Sequence, residues 1–190
     1  MYFIISLIII IVLHELGHFI AARLCDCGVE ELALGFGKNI YSKKGGDTTY
    51  KINLILLGGY CKLQDELKFT DNPTAFTNKT YFQKVIITLA GVFVNVVTGL
   101  PAFLIGYHFN ILWLWIFGYY SLIIGATNLI PIPALDGSIP IWLLFEKKLG
   151  KEKLYPLMEK VFGISFKILI TINILCIPYL IYLWMKGLIV

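Results

Sequence analysis

Long uninterrupted apolar stretches dominate the chain. Four of them, residues 1–24, 85–107, 109–135 and 168–185, reach the length of about 20 apolar residues that a helix needs to cross a bilayer. The second and third stretches contain no Asp, Glu, Lys or Arg. Because the apolar residues run continuously and do not alternate with polar ones, they predict helices and not the strands of a membrane barrel. The pattern therefore predicts an all-α polytopic membrane protein with four transmembrane helices.

A different pattern follows the first apolar stretch. Gly45, Gly46 and Asp47 form a turn signal between two runs that are rich in Tyr, Ile, Thr and Leu, which predicts a β-hairpin over about residues 31–63. Residues 52–57 are too apolar for water, so we expect them to enter the membrane or to pack on the helices, with their backbone groups paired. The chain, residues 1–190, is then expected to form a single membrane-embedded domain.

Composition and charge support a membrane location. The sequence is 58% hydrophobic and 15% charged, whereas an ordinary soluble domain is about a quarter charged. Nine Lys or Arg residues lie in residues 23–84 and six in residues 137–167, and an excess of positive charge marks cytoplasmic loops. We therefore expect a multi-pass protein of the cell membrane with both termini extracytoplasmic. The lysines are spread over loops, so no nucleic-acid partner is expected.

The candidate chemistry lies in the first apolar stretch, which contains His14-Glu15-Leu16-Gly17-His18. Side chains four positions apart share one face of a helix, so two imidazoles at this spacing can bind one zinc ion. Glu15 lies beside them and can accept a proton from a water that the metal activates. Ionisable groups inside a membrane span are costly and usually functional. The motif therefore predicts a catalytic zinc site near the cytoplasmic end of the span.

A catalytic zinc ion usually has three protein ligands and one open position. The third histidine, His108, falls at the opposite end of its predicted span. The better candidate is Asp136, which ends an uncharged span on the expected cytoplasmic side, after Pro131 and Pro133 have interrupted the helix. Spacing alone leaves two interpretations of Asp136 level: a metal ligand, or a helix-end carboxylate in water.

The sequence resembles the site-2 proteases, a family of intramembrane zinc metallopeptidases, in four segments that occur in the family's order: HELGH, FGKNIYSKKGGDTTYKINLILLGGYCKL, FTNKTYFQKVIITLAGVFVN and NLIPIPALDG. The likeness is strongest to the bacterial branch that regulates sigma factors, although the connection between the second and third stretches is too short for the PDZ domains usual there. The resemblance implies Zn²⁺ as cofactor, His14, His18 and Asp136 as its ligands, and Glu15 as catalytic acid and base.

The resemblance also implies a substrate and a way of holding it. The substrates would be single-span membrane proteins, such as anti-sigma factors or remnant signal peptides, that are cleaved within the bilayer in regulated intramembrane proteolysis. Asn128 would help to hold the substrate backbone. The hairpin would offer a strand edge to an unwound substrate segment, with Ile52, Leu54 and Leu56 as the expected contact residues.

Three other functions remain possible on the sequence. A different membrane protease with the same histidine motif would use a glutamate ligand from another helix and would lack the Leu135-Asp136-Gly137 segment. A metal-binding membrane transporter would use the same residues as an ion pathway and would move zinc without cleaving peptides. An inactive scaffold is disfavoured because the motif and Glu15 are intact.

Overall fold

The computed structural model describes the backbone of residues 2–185, and their side chains except those of residue 57 and residues 173–185. A short 3₁₀ turn, Phe76–Asn78, precedes the second helix. The helices and strands, in chain order, are α1 (Tyr2–Leu24), β1 (Val29–Gly45), β2 (Thr48–Leu63), α2 (Tyr81–His108), α3 (Leu112–Asn128), α4 (Ser138–Leu143), α5 (Glu146–Leu149) and α6 (Lys151–Met185).

The fold is mixed α/β, so the prediction of an all-α protein with four transmembrane helices is wrong. A two-stranded antiparallel sheet accompanies the helices, and within the described residues two helices, α1 and α2, are long and apolar enough to cross a membrane. The predicted span over residues 109–135 contains only the 17-residue α3, because the prolines that follow Asn128 interrupt the helix. The predicted span over residues 168–185 falls in α6, and most of its side chains lie outside the described residues.

Helices α1 and α2 pack closely in antiparallel directions. Ala22, near the end of α1, shares a cluster with Ile87, near the start of α2, whereas Ile10 meets Ala102 at the other end. A Cβ atom added to Gly17 would lie 2.7 Å from a carbonyl oxygen of α2. Small residues therefore bring the two backbones together, as is common between membrane helices, where lipid gives no hydrophobic drive for association.

The outer faces of these helices are apolar. Phe82, Phe93 and Leu104 on α2 are 76%, 66% and 54% exposed, and Ile4 and Ile20 on α1 are 61% and 54% exposed. Large apolar side chains pointing outward along two long helices suit a lipid environment. The predicted membrane location is thereby supported.

The two strands pair more extensively than a simple hairpin does. Residues 39–45 face residues 48–53 across the turn, as a hairpin requires. Residues 31–34 of β1 pair with residues 59–62 on one side and with residues 49–52 on the other. Both strands therefore bend and change partners, which leaves residues 49–52 in the interior of the sheet.

A buried ion pair joins the start of α2 to the last helices. The Nζ atom of Lys84, a residue only 1% exposed, donates to Oε2 of Glu146 and to the hydroxyl of Tyr155, both at 2.7 Å. The Tyr155 hydroxyl donates to the same Glu146 oxygen at 3.0 Å. This cluster anchors α5 and α6, which follow the segment that carries Asp136.

Replacing Glu146 with alanine should lower the free energy of unfolding by about 3–5 kcal/mol, because it leaves the buried Lys84 ammonium without its carboxylate. The double variant Lys84→Met/Glu146→Leu should recover most of this loss, since no buried charge remains. Unfolding by denaturant in mixed micelles measures both.

The control is Glu30→Ala, which removes a more exposed ion pair with Lys62. The side chain of Glu30 is 38% exposed and that of Lys62 is 54% exposed. It should change stability by about 0–1 kcal/mol. Equal effects of Glu146→Ala and Glu30→Ala would contradict the importance assigned to the buried pair.

Candidate metal centre

Three side chains from distant parts of the chain meet beside α1. The Nε2 atoms of His14 and His18 are 3.2 Å apart, and Oδ2 of Asp136 lies 3.1 Å from the first and 3.3 Å from the second. His14 and His18 are buried, at 6% and 8% exposure. The structure thus brings together the three residues that the sequence nominated as metal ligands.

The spacing of these atoms suits a tetrahedral metal ion. Zinc binds imidazole nitrogen and carboxylate oxygen at about 2.0–2.2 Å, which places neighbouring ligand atoms roughly 3.3–3.5 Å apart in a tetrahedron. Asp136 Oδ2 is buried and makes no hydrogen bond of acceptable geometry, as expected of an oxygen reserved for a metal. Nδ1 of His18 donates to the carbonyl oxygen of Ile87 at 2.8 Å, so in the neutral ring Nε2 keeps its lone pair.

A glycine on α2 makes room for the imidazoles. Gly91 is buried against both histidines, and an added Cβ atom would clash with His18 and would lie 2.8 Å from Cε1 of His14. Any side chain at this position would push the rings away from Asp136. No pattern in the sequence marks Gly91 as part of the site, because a single sequence does not say which residue faces it.

The segment after α3 aims Asp136 at the histidines. Its two ends are tied by a hydrogen bond from the Gly137 amide to the carbonyl oxygen of Asn128, at 2.7 Å. A Cβ atom on Gly137 would overlap the backbone of Leu129, which explains a glycine directly after the aspartate. Ala134 has a φ of 82°, an unfavourable conformation for a residue with a side chain, and such strain is frequent at functional sites.

Glu15 lies on the neighbouring side of α1, under the end of β2. Its carboxyl group is near the backbone amide of Cys61, and its Cγ atom would be 2.9 Å from a Cβ added to Gly59. A cavity of about 160 Å³ opens beside it between α1 and the sheet. Its lining residues are mostly apolar: Val12, Glu15, Leu16, Leu32, Ala33, Leu34, Tyr50 and Lys51.

The residues expected to contact a substrate lie farther along the sheet. Ile52, Leu54 and Leu56 are 43%, 63% and 36% exposed, and none of them lines the cavity beside Glu15. Ile52 has strand partners on both sides, so its backbone is already paired. The amide nitrogen of the Asn128 side chain donates to the carbonyl oxygen of Ile124 at 3.1 Å, within its own helix.

The structure adds one acidic residue that the sequence did not nominate. Glu66 lies in the polar connection after β2, and desolvation raises the pKa of its carboxyl to about 7, while the charges of His18 and Asp136 also act on it. Its carboxyl group is therefore within electrostatic range of two of the candidate ligands. No spacing or motif in the sequence points to this proximity, since the connection has no regular structure.

The fold and the site define a membrane-associated protein with a candidate metal centre built on a helix. Comparison with known families agrees: residues 2–111 match the model of peptidase family M50. This match covers more than half of the chain, so the protein belongs to peptidase family M50, the site-2 protease family. The family resemblance read from the motifs is confirmed.

Several bacterial proteins are similar to part of the chain. A protein of Clostridium acetobutylicum that is named, provisionally, a zinc metalloprotease is 38% identical over 97 residues, which are 51% of this chain and 29% of that protein. Protease RseP of Yersinia pestis is 40% identical over 106 residues, covering 53% of this chain and 24% of the relative. The regulator of sigma-E protease RseP of Salmonella typhimurium is 41% identical, with the same coverage.

The chain spans only about a quarter of the length of these relatives, between 24% and 29%. The family and the names of its relatives identify Zn²⁺ as the cofactor, as the sequence predicted. The separation of the three candidate ligand atoms fits this ion.

Replacing Gly91 with alanine should weaken zinc binding by about tenfold or more, because the new methyl group displaces both imidazoles. Competition with a chromogenic chelator on detergent-purified protein measures the affinity. Gly163→Ala is the matched control, since Gly163 lies in α6 with nothing within 4 Å of an added Cβ atom. The role given to Gly91 fails if both variants bind zinc as tightly as the unmodified protein.

Proposed function

We propose that the chain is a site-2-type zinc metalloprotease that hydrolyses peptide bonds within the membrane segments of other proteins. In this proposal His14, His18 and Asp136 bind the zinc ion and Glu15 is the catalytic acid and base. One observation carries it: three candidate ligand atoms lie 3.1–3.3 Å from one another, next to a helix position whose carboxyl group borders a cavity. Membership of family M50 supports the same activity.

Each residue has a separate task in the reaction. Zinc, when bound, supplies a Lewis acid that activates water and polarises the peptide carbonyl. Glu15 takes the proton from the attacking water and then delivers it to the departing amine. It can do so because it lies on the side of α1 that faces the sheet. There it is close to the three proposed zinc ligands without being a ligand itself.

The apolar cavity beside Glu15 suits a substrate drawn from a membrane segment. A peptide bond within a helix is shielded, so the substrate must unwind locally and exchange its helical hydrogen bonds for others. We propose that the exposed part of β2 around Leu54 and Leu56 contacts the substrate during this exchange. Ile52, whose backbone is paired on both sides, would contribute its side chain, and Asn128 would hold the substrate backbone near Asp136.

Charge and apolar surface together suggest how the chain is oriented. We place the lysine-rich residues 23–84 and 137–167 on the cytoplasmic side of the cell membrane, with the metal centre near that side. We further propose that residues 1–190 act as one membrane-embedded unit on single-span substrates. The relative named a regulator of sigma-E protease supports a role in sigma-factor regulation, and the family resemblance suggests anti-sigma-factor-like proteins or remnant signal peptides as the substrate class.

Glu15→Gln should bind zinc as tightly as the unmodified protein but cleave a synthetic single-span substrate about 10²–10⁴ times more slowly, because the amide cannot take the proton of water. Cleavage is followed by gel electrophoresis in detergent, and zinc content by elemental analysis. A zinc chelator should stop the unmodified enzyme. Full cleavage by Glu15→Gln would remove Glu15 from its role, whereas zinc movement across vesicles without cleavage would favour a transporter.

Leu54→Ser should lower kcat/KM for the same substrate by about 10- to 100-fold, as expected for losing the burial of one leucine side chain against the substrate. Ile40→Ser is a close control, because Ile40 and Leu54 are both 63% exposed on the same hairpin and Ile40 lies outside the proposed contact region. Equal kinetic losses in the two variants would show that Leu54 has no special contact with the substrate.

A further inference from the structure

Two polar groups near the metal centre are buried without partners. Among the described residues, Nδ1 of His14 and both side-chain atoms of Asn95, Oδ1 and Nδ2, are fully enclosed and make no hydrogen bond. Asn95 is 0% exposed. Buried polar groups in proteins almost always have partners, so two such groups on facing helices call for a common explanation.

The packing of α1 and α2 brings the two groups to the same place. His18 on α1 donates to the carbonyl oxygen of Ile87 on α2, so these two turns face each other. Because the helices are antiparallel, the preceding turn of α1, at His14, faces the following turn of α2, at Gly91. An added Cβ on Gly91 would be 2.9 Å from Nδ1 of His14. The second nitrogen of His14 therefore points into the space left by the missing side chain of Gly91.

Helix geometry places Asn95 beside that space. It follows Gly91 by one helical turn on the same face of α2, and helical side chains lean toward the N-terminal turn, which here is the turn of Gly91. On the opposite side, a Cβ added to Gly125 of α3 would lie 3.2 Å from the Cβ atom of Asn95. Ser121 of α3 donates to the backbone carbonyl of Asn95 at 3.0 Å. The backbone of Asn95 is thus fixed by α3, and the Nδ2 atom of its side chain lies 3.9 Å from the Cβ atom added to Gly125.

Metal-binding histidines nearly always donate their second ring N–H to an acceptor, which fixes the ring orientation and the tautomer. His18 has such an acceptor in the carbonyl oxygen of Ile87. Nδ1 of His14 needs an equivalent acceptor, and the Oδ1 atom of Asn95 is a buried acceptor without a hydrogen bond.

We propose that Asn95 is a positioning residue of the metal centre, whose Oδ1 accepts the Nδ1 proton of His14, directly after rotation of the amide or through one water. The contact holds His14 in the tautomer that leaves Nε2 free for the metal. This inference rests on the proposed role of His14 as a ligand. It assigns Asn95 no contact with the substrate.

The test compares zinc affinities, by chelator competition, of the full chain purified in detergent. Asn95→Leu keeps the volume and removes the acceptor, so it should weaken zinc binding by about 10- to 100-fold. Asn95→Asp keeps the acceptor and should bind zinc within about threefold of the unmodified protein, since carboxylates are common partners of metal-binding histidines. Ser6→Ala removes another fully buried, unpaired polar atom of α1 and should leave the affinity unchanged.

Unchanged affinity in Asn95→Leu, or equal losses in Asn95→Leu and Asn95→Asp, would overturn the proposal. His14→Ala separates this failure from that of the proposed function: if His14→Ala retains tight zinc binding, the metal centre itself is wrongly assigned. If Asn95→Leu does not fold, nuclear magnetic resonance of ¹⁵N-histidine decides with Asn95→Asp. The Nδ1 proton of His14 should shift downfield against the stronger acceptor, and an unshifted signal would contradict the contact.

Discussion

The metal centre depends on how closely the backbones of α1 and α2 can approach each other. Water drives no association between helices in lipid, so the approach relies on small residues that allow extensive van der Waals contact. Gly17 meets the backbone of α2, and Gly91 leaves the space that both imidazoles fill. At this separation the ring of His18 reaches the carbonyl oxygen of Ile87. The same constraint therefore sets the helix packing and the orientation of the candidate ligands.

The third candidate ligand is held from both ends of its segment. On one side the amide of Gly137 bonds to the carbonyl of Asn128 and closes the loop against the end of α3. On the other, the buried contact of Lys84 with Glu146 fixes the short helices that follow. The unfavourable backbone of Ala134, which by itself costs about 1–3 kcal/mol, is tolerated because the surrounding contacts fix its position. A carboxylate so held needs little reorganisation to bind a metal.

The sequence predicted the chemistry better than the fold. His14 and His18 are four residues apart, so they lie on one face of any helix that contains them. The position of Asp136 relative to them depends on the tertiary fold, which spacing in the sequence does not reveal. The prediction of four spans was wrong: α1 and α2 are long and apolar enough to cross a membrane, but hydropathy counts apolar residues and does not register that prolines end α3 at Asn128. The double pairing of residues 31–34 and the proximity of Glu66 to the site could not be predicted, because both arise from tertiary packing without a local sequence signal.

The position of Asp136 gives an argument that the family-model match does not. The family match ends at residue 111, so nothing in it places Asp136 near the histidines. The coordinates nevertheless bring one oxygen of this residue to within 3.1 and 3.3 Å of two nitrogens more than a hundred positions earlier in the chain. A solvated helix-end carboxylate would have no reason to bury an oxygen without a hydrogen bond. The proposed role of Asp136 as a metal ligand accounts for the position of this buried oxygen between the two imidazoles.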